Sequence, residues 1–274
     1  MLMKKIFILL MVGSLLFSCQ ITDVLNQEPP HNLTPDNAIT DEKSAETALT
    51  GIYGEQIGYE SYMSIGNHAM TAGILQRNDN PGVVVSIYYI ENRLPELNLV
   101  GAAYTPFWDA FNTIINSSTK LLAVLEGMSD NLFTDGRKTT MMGEIRFLRG
   151  WYMFDLLRMF GPLPTQLDSK AIPYKETISV SAPGMLTGNE VIEKVLTDLA
   201  EAESILKNWD PAVSEGMLMA VNDDDHDNDG NTYRFRGLRL NYYAVVALKA
   251  RVYLWAGNKT EALKYAKMII ENPE

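Results

Sequence analysis

Three aspartates at alternate positions, Asp225, Asp227 and Asp229, stand just before Gly230 in the stretch NDDDHDNDGNTY. Oxygen ligands spaced by two, with a glycine for the sharp turn, are how a calcium loop of the D-x-D-x-D-G kind begins. The twelfth position of such a loop supplies a bidentate glutamate; here it is Arg236. No helical pattern leads into the stretch from upstream. It reads as a solvated acidic turn, with calcium ligation by Asp225, Asp227 and Asp229 as the alternative. No other cofactor is implied.

Catalysis has little to draw on. His31, His68 and His226 fall in Pro-rich or irregular segments, the lone cysteine is Cys19, and no GxSxG, Walker A or HExxH pattern occurs. Glycoside hydrolysis needs two carboxylates about 5 to 9.5 Å apart. Glu144 and Asp155, the acids of the most apolar helical stretch, are about three turns apart on it, roughly 16 Å. The chain reads as a binding protein, not an enzyme.

That stretch, EIRFLRGWYMFDLLRMFGPLP from Glu144 to Pro164, carries, besides Glu144 at its start, four charges that need partners: Arg146, Arg149, Asp155 and Arg158. At about 100° per residue, Arg146 and Arg149 lie within roughly 60° of each other and Asp155 about 180° from Arg146. Asp155 and Arg158 can pair at i, i+3. The other arginines must meet carboxylates or carbonyls of neighbouring elements, because an unpaired buried charge is costly. This predicts a central helix packed on several sides, its guanidinium groups tying its neighbours together. An anion site made by Arg146 and Arg149 is the less favoured reading.

The remaining pattern is helical. Thr40 looks like an N-cap, with Ala45, Ala48, Leu49, Ile52 and Tyr53 as an apolar stripe behind it. Residues 59–104 lose that period, show a β-like run over 83–90, and read as a long irregular binding insertion. Helix returns at Pro106 with Phe107, Ala110, Phe111, Ile114 and Ile115 on one face. The central helix should run from about Arg137 to Phe160, stopped by Gly161 at C′ and Pro162. Thr187-Gly188-Asn189-Glu190 fits a capping box for a helix burying Val191, Val195, Leu196, Leu199, Ala202 and Leu206. A final hairpin turns at Gly257-Asn258, with Ala247, Ala250, Ala262 and Ala266 at the close approach and Tyr253 packing. It resembles a tetratricopeptide-type unit, although no clean 34-residue period runs through the chain. The fold class is mainly α: degenerate tetratricopeptide-like hairpins around a central helix, with long irregular loops and a few short strands.

At the other end, Lys4 and Lys5 precede an apolar run from Ile6 to Leu16 that is too short for a permanent membrane span and reads as a signal peptide. Leu16-Phe17-Ser18-Cys19 resembles the bacterial lipobox, which makes Cys19 the lipidated residue. Acyl chains contribute about 0.8 kcal/mol per buried methylene, enough together to tether a folded domain. The expected organisation is a lipoprotein signal peptide at 1–18, the acylated Cys and a Pro-rich extended spacer at 19–39, and a helical domain at 40–274. The formal charge of −11 argues against a nucleic-acid partner and against adhesion to an anionic leaflet, leaving the anchor as the expected membrane contact.

FLRGWYMFDLLRMFGPLP, residues 147–164, resembles a signature of SusD/RagB-type lipoproteins. Leu25 to Pro29 after the Cys, Ala48 to Tyr53, Trp108 to Asn116 with Phe111 in the aromatic slot and Asn116 one place early, and the terminal hairpin resemble other family segments. The resemblance implies an outer-membrane, lipid-anchored, surface-exposed protein that binds oligosaccharides for a SusC-like TonB-dependent transporter. Aromatic rings stack on sugars while Asn, Asp and Arg reach their hydroxyls. The family tends to place ligand contacts in the region that here offers Arg77, Asn78, Asn80, Tyr88, Tyr89, Arg93, Asn98 and Tyr104. Tyr88 and Tyr89 read equally well as strand core. Peptide uptake, or a protein–protein adaptor without a small ligand, are the rival functions. Family members are commonly around twice as long, so the expectation is the N-terminal half, or a truncated member, without the C-terminal part of the family fold.

Overall fold

The computed structural model describes residues 38–57, 98–134, 136–179, 181, 183–214, 216, 236–237 and 239–271. The chain divides into two units, Met1–Ala38 and Ile39–Glu274, and every element below belongs to the second. In chain order these are α1 (Glu42–Ile57), α2 (Asn98–Gly127), α3 (Arg137–Phe160), strands β1 (Lys170–Pro173) and β2 (Met185–Thr187), α4 (Gly188–Trp209), the single turn α5 (Pro211–Ser214), α6 (Tyr242–Trp255) and α7 (Lys259–Ile270). The strands pair antiparallel, Lys170 opposite Thr187 and Pro173 opposite Met185, with an irregularity between. This is the mainly α architecture read from the sequence. None of the described helices is long and apolar enough to cross a membrane.

α3 is the centre. It packs chiefly against α2 and α4 and also meets α1, α6 and β1. Ile145, Phe147, Leu148, Met153, Phe154, Leu156 and Leu157 are all buried, so almost no side of the helix is left to water. Burial of such side chains contributes about 1.5–3 kcal/mol each. Its neighbours offer ordinary one-sided stripes: Ala45, Leu49 and Ile52 on α1, Phe111, Ile114, Ile115, Leu121, Leu122 and Leu125 on α2. On α4, Val191, Val195, Leu199, Ala202 and Leu206 are fully buried, while Leu196 is only half-buried.

Two glycines seven residues apart let α3 and α4 approach closely. A Cβ at Gly143 would lie 2.9 Å from side-chain atoms of Ile205 and Leu206; at Gly150 it would lie 3.3 Å from Leu199. Gly143→Ala should therefore destabilise by about 1–3 kcal/mol through overpacking. At Gly150 the gain in helix propensity, about 1 kcal/mol, offsets a milder contact, leaving Gly150→Ala close to the wild type. Urea unfolding checks the order, and equal effects would show that Gly143 does not set the spacing.

Helix ends follow local chemistry, in places differently from the sequence expectation. α1 is capped by Asp41, not Thr40. Its carboxylate accepts from the Ser44 N–H at 2.8 Å while Ser44 Oγ accepts from the Asp41 N–H at 3.0 Å. The Ser44 hydrogen bonds hold the Asp41 carboxyl below its usual range. The α4 capping box is present, with Thr187 Oγ1 accepting from the Glu190 N–H and Glu190 Oε2 from the Thr187 N–H. Gly161 ends α3 with φ −87°, an extended residue and not a left-handed one. A Cβ there would sit 2.5 Å from the Leu157 carbonyl oxygen, so steric room and not φ calls for glycine.

In the α6–α7 hairpin, Gly257 takes φ +81° and Asn258 caps α7 by accepting from the Glu261 N–H at 3.2 Å. Tyr253 and Tyr265 stack at 5.6 Å between centroids. Ala262 is buried, but Ala247 is exposed, so it takes no part in the close approach.

Residues 58–97 lie outside the described residues, and with them the 83–90 run. From Asn98 the chain is already helical, which moves 98–104 out of the irregular insertion. Pro106 resembles a helix start because its ring suits the first turn. Here the helix runs through it, at the cost of the hydrogen bond to the Ala102 carbonyl that proline cannot donate.

Candidate functional site

The charged residues of α3 fall into three clusters that differ in how much water reaches them. The first surrounds Glu144, 2% exposed. Arg236, just before α6, donates from Nη1 to Glu144 Oε1. It also donates from Nε to Asp210 Oδ1 at 2.8 Å and from Nη2 to Asp210 Oδ2 at 3.1 Å, a bidentate pair. Asp210, the C-cap of α4, further accepts from the backbone N–H groups of Tyr242 at 2.8 Å and Ala212 at 3.0 Å. Tyr53 of α1 donates its hydroxyl to Glu144 Oε2 at 2.5 Å and lies under the Arg239 guanidinium. Burial and the Glu144 carboxylate push the Tyr53 phenol well above its usual range. Burial opposes the charge on Arg236, but Glu144 and Asp210 more than offset it and hold the guanidinium more basic than usual. α1, α3, α4 and α6 are joined here by one buried network.

The second cluster joins α3 to α4 and to Tyr174, the residue that follows β1. Arg149 grips Asp198 through Nε at 2.7 Å and Nη2 at 2.5 Å, and Tyr174 donates its hydroxyl to the same carboxylate at 2.6 Å. Burial and Asp198 raise the Tyr174 phenol well above its usual range. Arg146 reaches Glu201 at 2.7 Å, Glu126 at 3.1 Å and Asp198 at 3.9 Å. The chain's own carboxylates thus already occupy the anion position between Arg146 and Arg149.

The third cluster is open on one side. Asp155, 3% exposed in its side chain, accepts on Oδ1 from Arg158 at 2.7 Å and from Arg251 of α6 at 3.3 Å. Its Oδ2 accepts from Trp151 Nε1 at 2.9 Å. Both guanidiniums lie 5.7 Å from the Phe154 ring centroid, and Trp255 stands edge-on to the same ring at 5.7 Å. Trp108 of α2 meets Phe160 edge-on at 5.2 Å. Asn98 and Tyr104 fall in the first turns of α2.

Of the other residues singled out from sequence, Cys19, Arg77, Asn78, Asn80, Tyr88, Tyr89, Arg93, Asp225, Asp227 and Asp229 lie outside the described residues. Among the described residues no group of His, Cys, Asp and Glu could hold a metal ion. Arg236, the twelfth position of a loop counted from Asp225, has its guanidinium committed to Glu144 and Asp210 and turns into the core. EDTA tests the acidic stretch itself: an unchanged melting temperature is expected of a solvated turn, and a fall of several degrees would reveal a bound cation. Sequence reasoning missed Arg236, Asp210 and Tyr174 as partners. The signal that could have found two of them is chemical: a Glu144 inside an apolar helix requires a distant cation, and that cation a second acid.

A family model for SusD-like proteins, described as starch-binding and associating with the outer membrane, matches residues 27–214. Similar solved structures include a SusD superfamily protein from Bacteroides thetaiotaomicron VPI-5482, with TM-score 0.47, 24% identity, and coverage of 60% of this chain and 31% of that one. A SusD-like carbohydrate binding protein from Bacteroides vulgatus ATCC 8482 aligns with TM-score 0.47 and 16% identity over 62% of this chain and 32% of that one. A laminarin-binding SusD-like protein aligns with TM-score 0.43 and 19% identity over 61% and 30%. The aligned part spans about a third of the length of these proteins. Among curated proteins none matches. The family match extends over well more than half of the chain, and this chain belongs to the SusD-like family.

Proposed function

We propose that this chain is part of a surface lipoprotein, anchored through Cys19 in the outer membrane, that binds oligosaccharides and delivers them to a SusC-like TonB-dependent transporter. The observation that carries the reading is the family match over residues 27–214. The helical body supports it as a rigid scaffold, and the separation of Glu144 and Asp155 on α3 speaks for binding without turnover. Ligand contacts are assigned to Arg77, Asn78, Asn80, Tyr88, Tyr89, Arg93, Asn98 and Tyr104.

Titration of the chain with maltooligosaccharides and a glycan array tests the cargo, and mass spectrometry of the mature N-terminus tests the anchor. Expected are saturable glycan binding, no release of reducing sugar, and an acylated Cys19 as first residue. Binding of peptides with no glycan on the array would replace the sugar by a peptide cargo, and an intact Met1–Ser18 segment would remove the anchor.

A further inference from the structure

Two of the three charge clusters are closed. Arg149 is buried against Asp198, and Arg236 is buried against Glu144 and Asp210. The Asp155 cluster departs from this pattern in charge and in exposure. Two guanidiniums share one carboxylate oxygen, so the set carries one surplus positive charge on a chain of net −11. The carboxylate is buried, while the side chains of Arg158 and Arg251 are 34% and 44% exposed. Each guanidinium has five N–H donors in a planar fork. Among the described contacts one donor of each is spent on Asp155. The forks are also held in place: both are anchored on Oδ1, both lie at the Phe154 ring, and Trp151 locks Oδ2 from the other side. Preorganisation of this kind lowers the entropy lost when a ligand is gripped.

From this we propose that Arg158 and Arg251 form a subsite for the carboxylate of a uronic acid residue in an acidic oligosaccharide. The inference rests on the oligosaccharide-binding reading above. One surplus positive charge matches a monoanion, and a planar carboxylate fits the guanidinium fork with two parallel hydrogen bonds. Half-buried Trp255, edge-on to Phe154 beside the arginines, supplies the apolar surface that a sugar ring covers and an isolated acidic side chain does not. Because the net field of the chain repels anions, recognition depends on these directional contacts and not on long-range attraction.

The test is calorimetric titration of the chain with tetragalacturonate, maltotetraose and a short poly-glutamate peptide, for the wild type, Arg251→Ala and Arg251→Lys. Arg251→Ala should fold, since Asp155 keeps Arg158 and Trp151, and a melting curve verifies it; Arg251→Lys keeps the charge and removes the fork. The wild type should favour tetragalacturonate over maltotetraose, with an advantage that shrinks between about 50 and about 300 mM NaCl. In Arg251→Ala the ratio of the two affinities should fall by about tenfold, and in Arg251→Lys by less. Maltotetraose binding without tetragalacturonate binding, or a ratio untouched by Arg251→Ala, overturns the subsite and leaves the oligosaccharide reading intact. Binding of neither sugar overturns both. Arg251-dependent binding of poly-glutamate alone makes this a contact for acidic protein and overturns the sugar assignment.

Discussion

Replacing Arg236 by alanine should destabilise the protein by about 3–5 kcal/mol, the usual consequence of removing one member of a buried ion pair. The loss exceeds that of the hydrogen bonds because of what remains. Glu144 and Asp210 would stay in the core, with Arg239 at 3.5 Å from Glu144 as a partial substitute. Urea unfolding measures the deficit. A deficit below about 1 kcal/mol would mean that the core reorganises around the missing guanidinium. Replacing Glu144, Asp210 and Arg236 together by apolar residues should cost much less than Arg236→Ala, because no charge is then stranded.

That experiment also marks the boundary between what could and could not be read from the sequence. The α4 capping box and the stripe Val191, Val195, Leu199, Ala202 and Leu206 were legible because they depend on residues within one helix. The extent of α3 was legible for the same reason. Its all-round apolarity showed that it must be central, and the i, i+3 spacing of Asp155 and Arg158 showed that they could meet. Partners far along the chain left no such trace. Arg236 follows Glu144 by 92 residues, and its only visible local role was as the wrong residue in a calcium loop. The start of α2 was misread because proline at a first turn and proline inside a long packed helix look alike until the tertiary support is known. Thr40 was misread as a cap because Thr and Asp are both good N-caps; Ser44 three residues after Asp41 decides it. The Asp155 cluster was half legible: Arg158 was assigned, but Arg251 comes from a different hairpin and only the fold brings it to the same oxygen.

The second large effect is expected at Asp198. Its carboxylate takes two bonds from Arg149 and one from Tyr174, and stands 3.9 Å from Arg146. Asp198→Ala leaves Arg149 buried and unpaired, which should cost about 3–5 kcal/mol. Tyr174→Phe removes one hydrogen bond and leaves the ion pair, for about 1–2 kcal/mol. The two losses should not add, since Tyr174 has no acceptor in the Asp198→Ala background; a double-mutant cycle reads that coupling directly. Alkaline pH supplies an independent check. The folded-state pKa of Tyr174 is raised by burial and by Asp198. A group with a raised folded pKa contributes fully below its unfolded value, near 10 for tyrosine, and loses that contribution as pH climbs toward the folded one. Wild-type stability should fall above about pH 10, and the gap to Tyr174→Phe should narrow there. Tyr53 moves in the same direction through burial and Glu144, so Tyr53→Phe in the Tyr174→Phe background should lower the alkaline sensitivity further. Additive losses in the cycle, together with a gap that stays constant from pH 8 to pH 11, would show that Arg149 and Asp198 hold α3 to α4 without help from the β1 side.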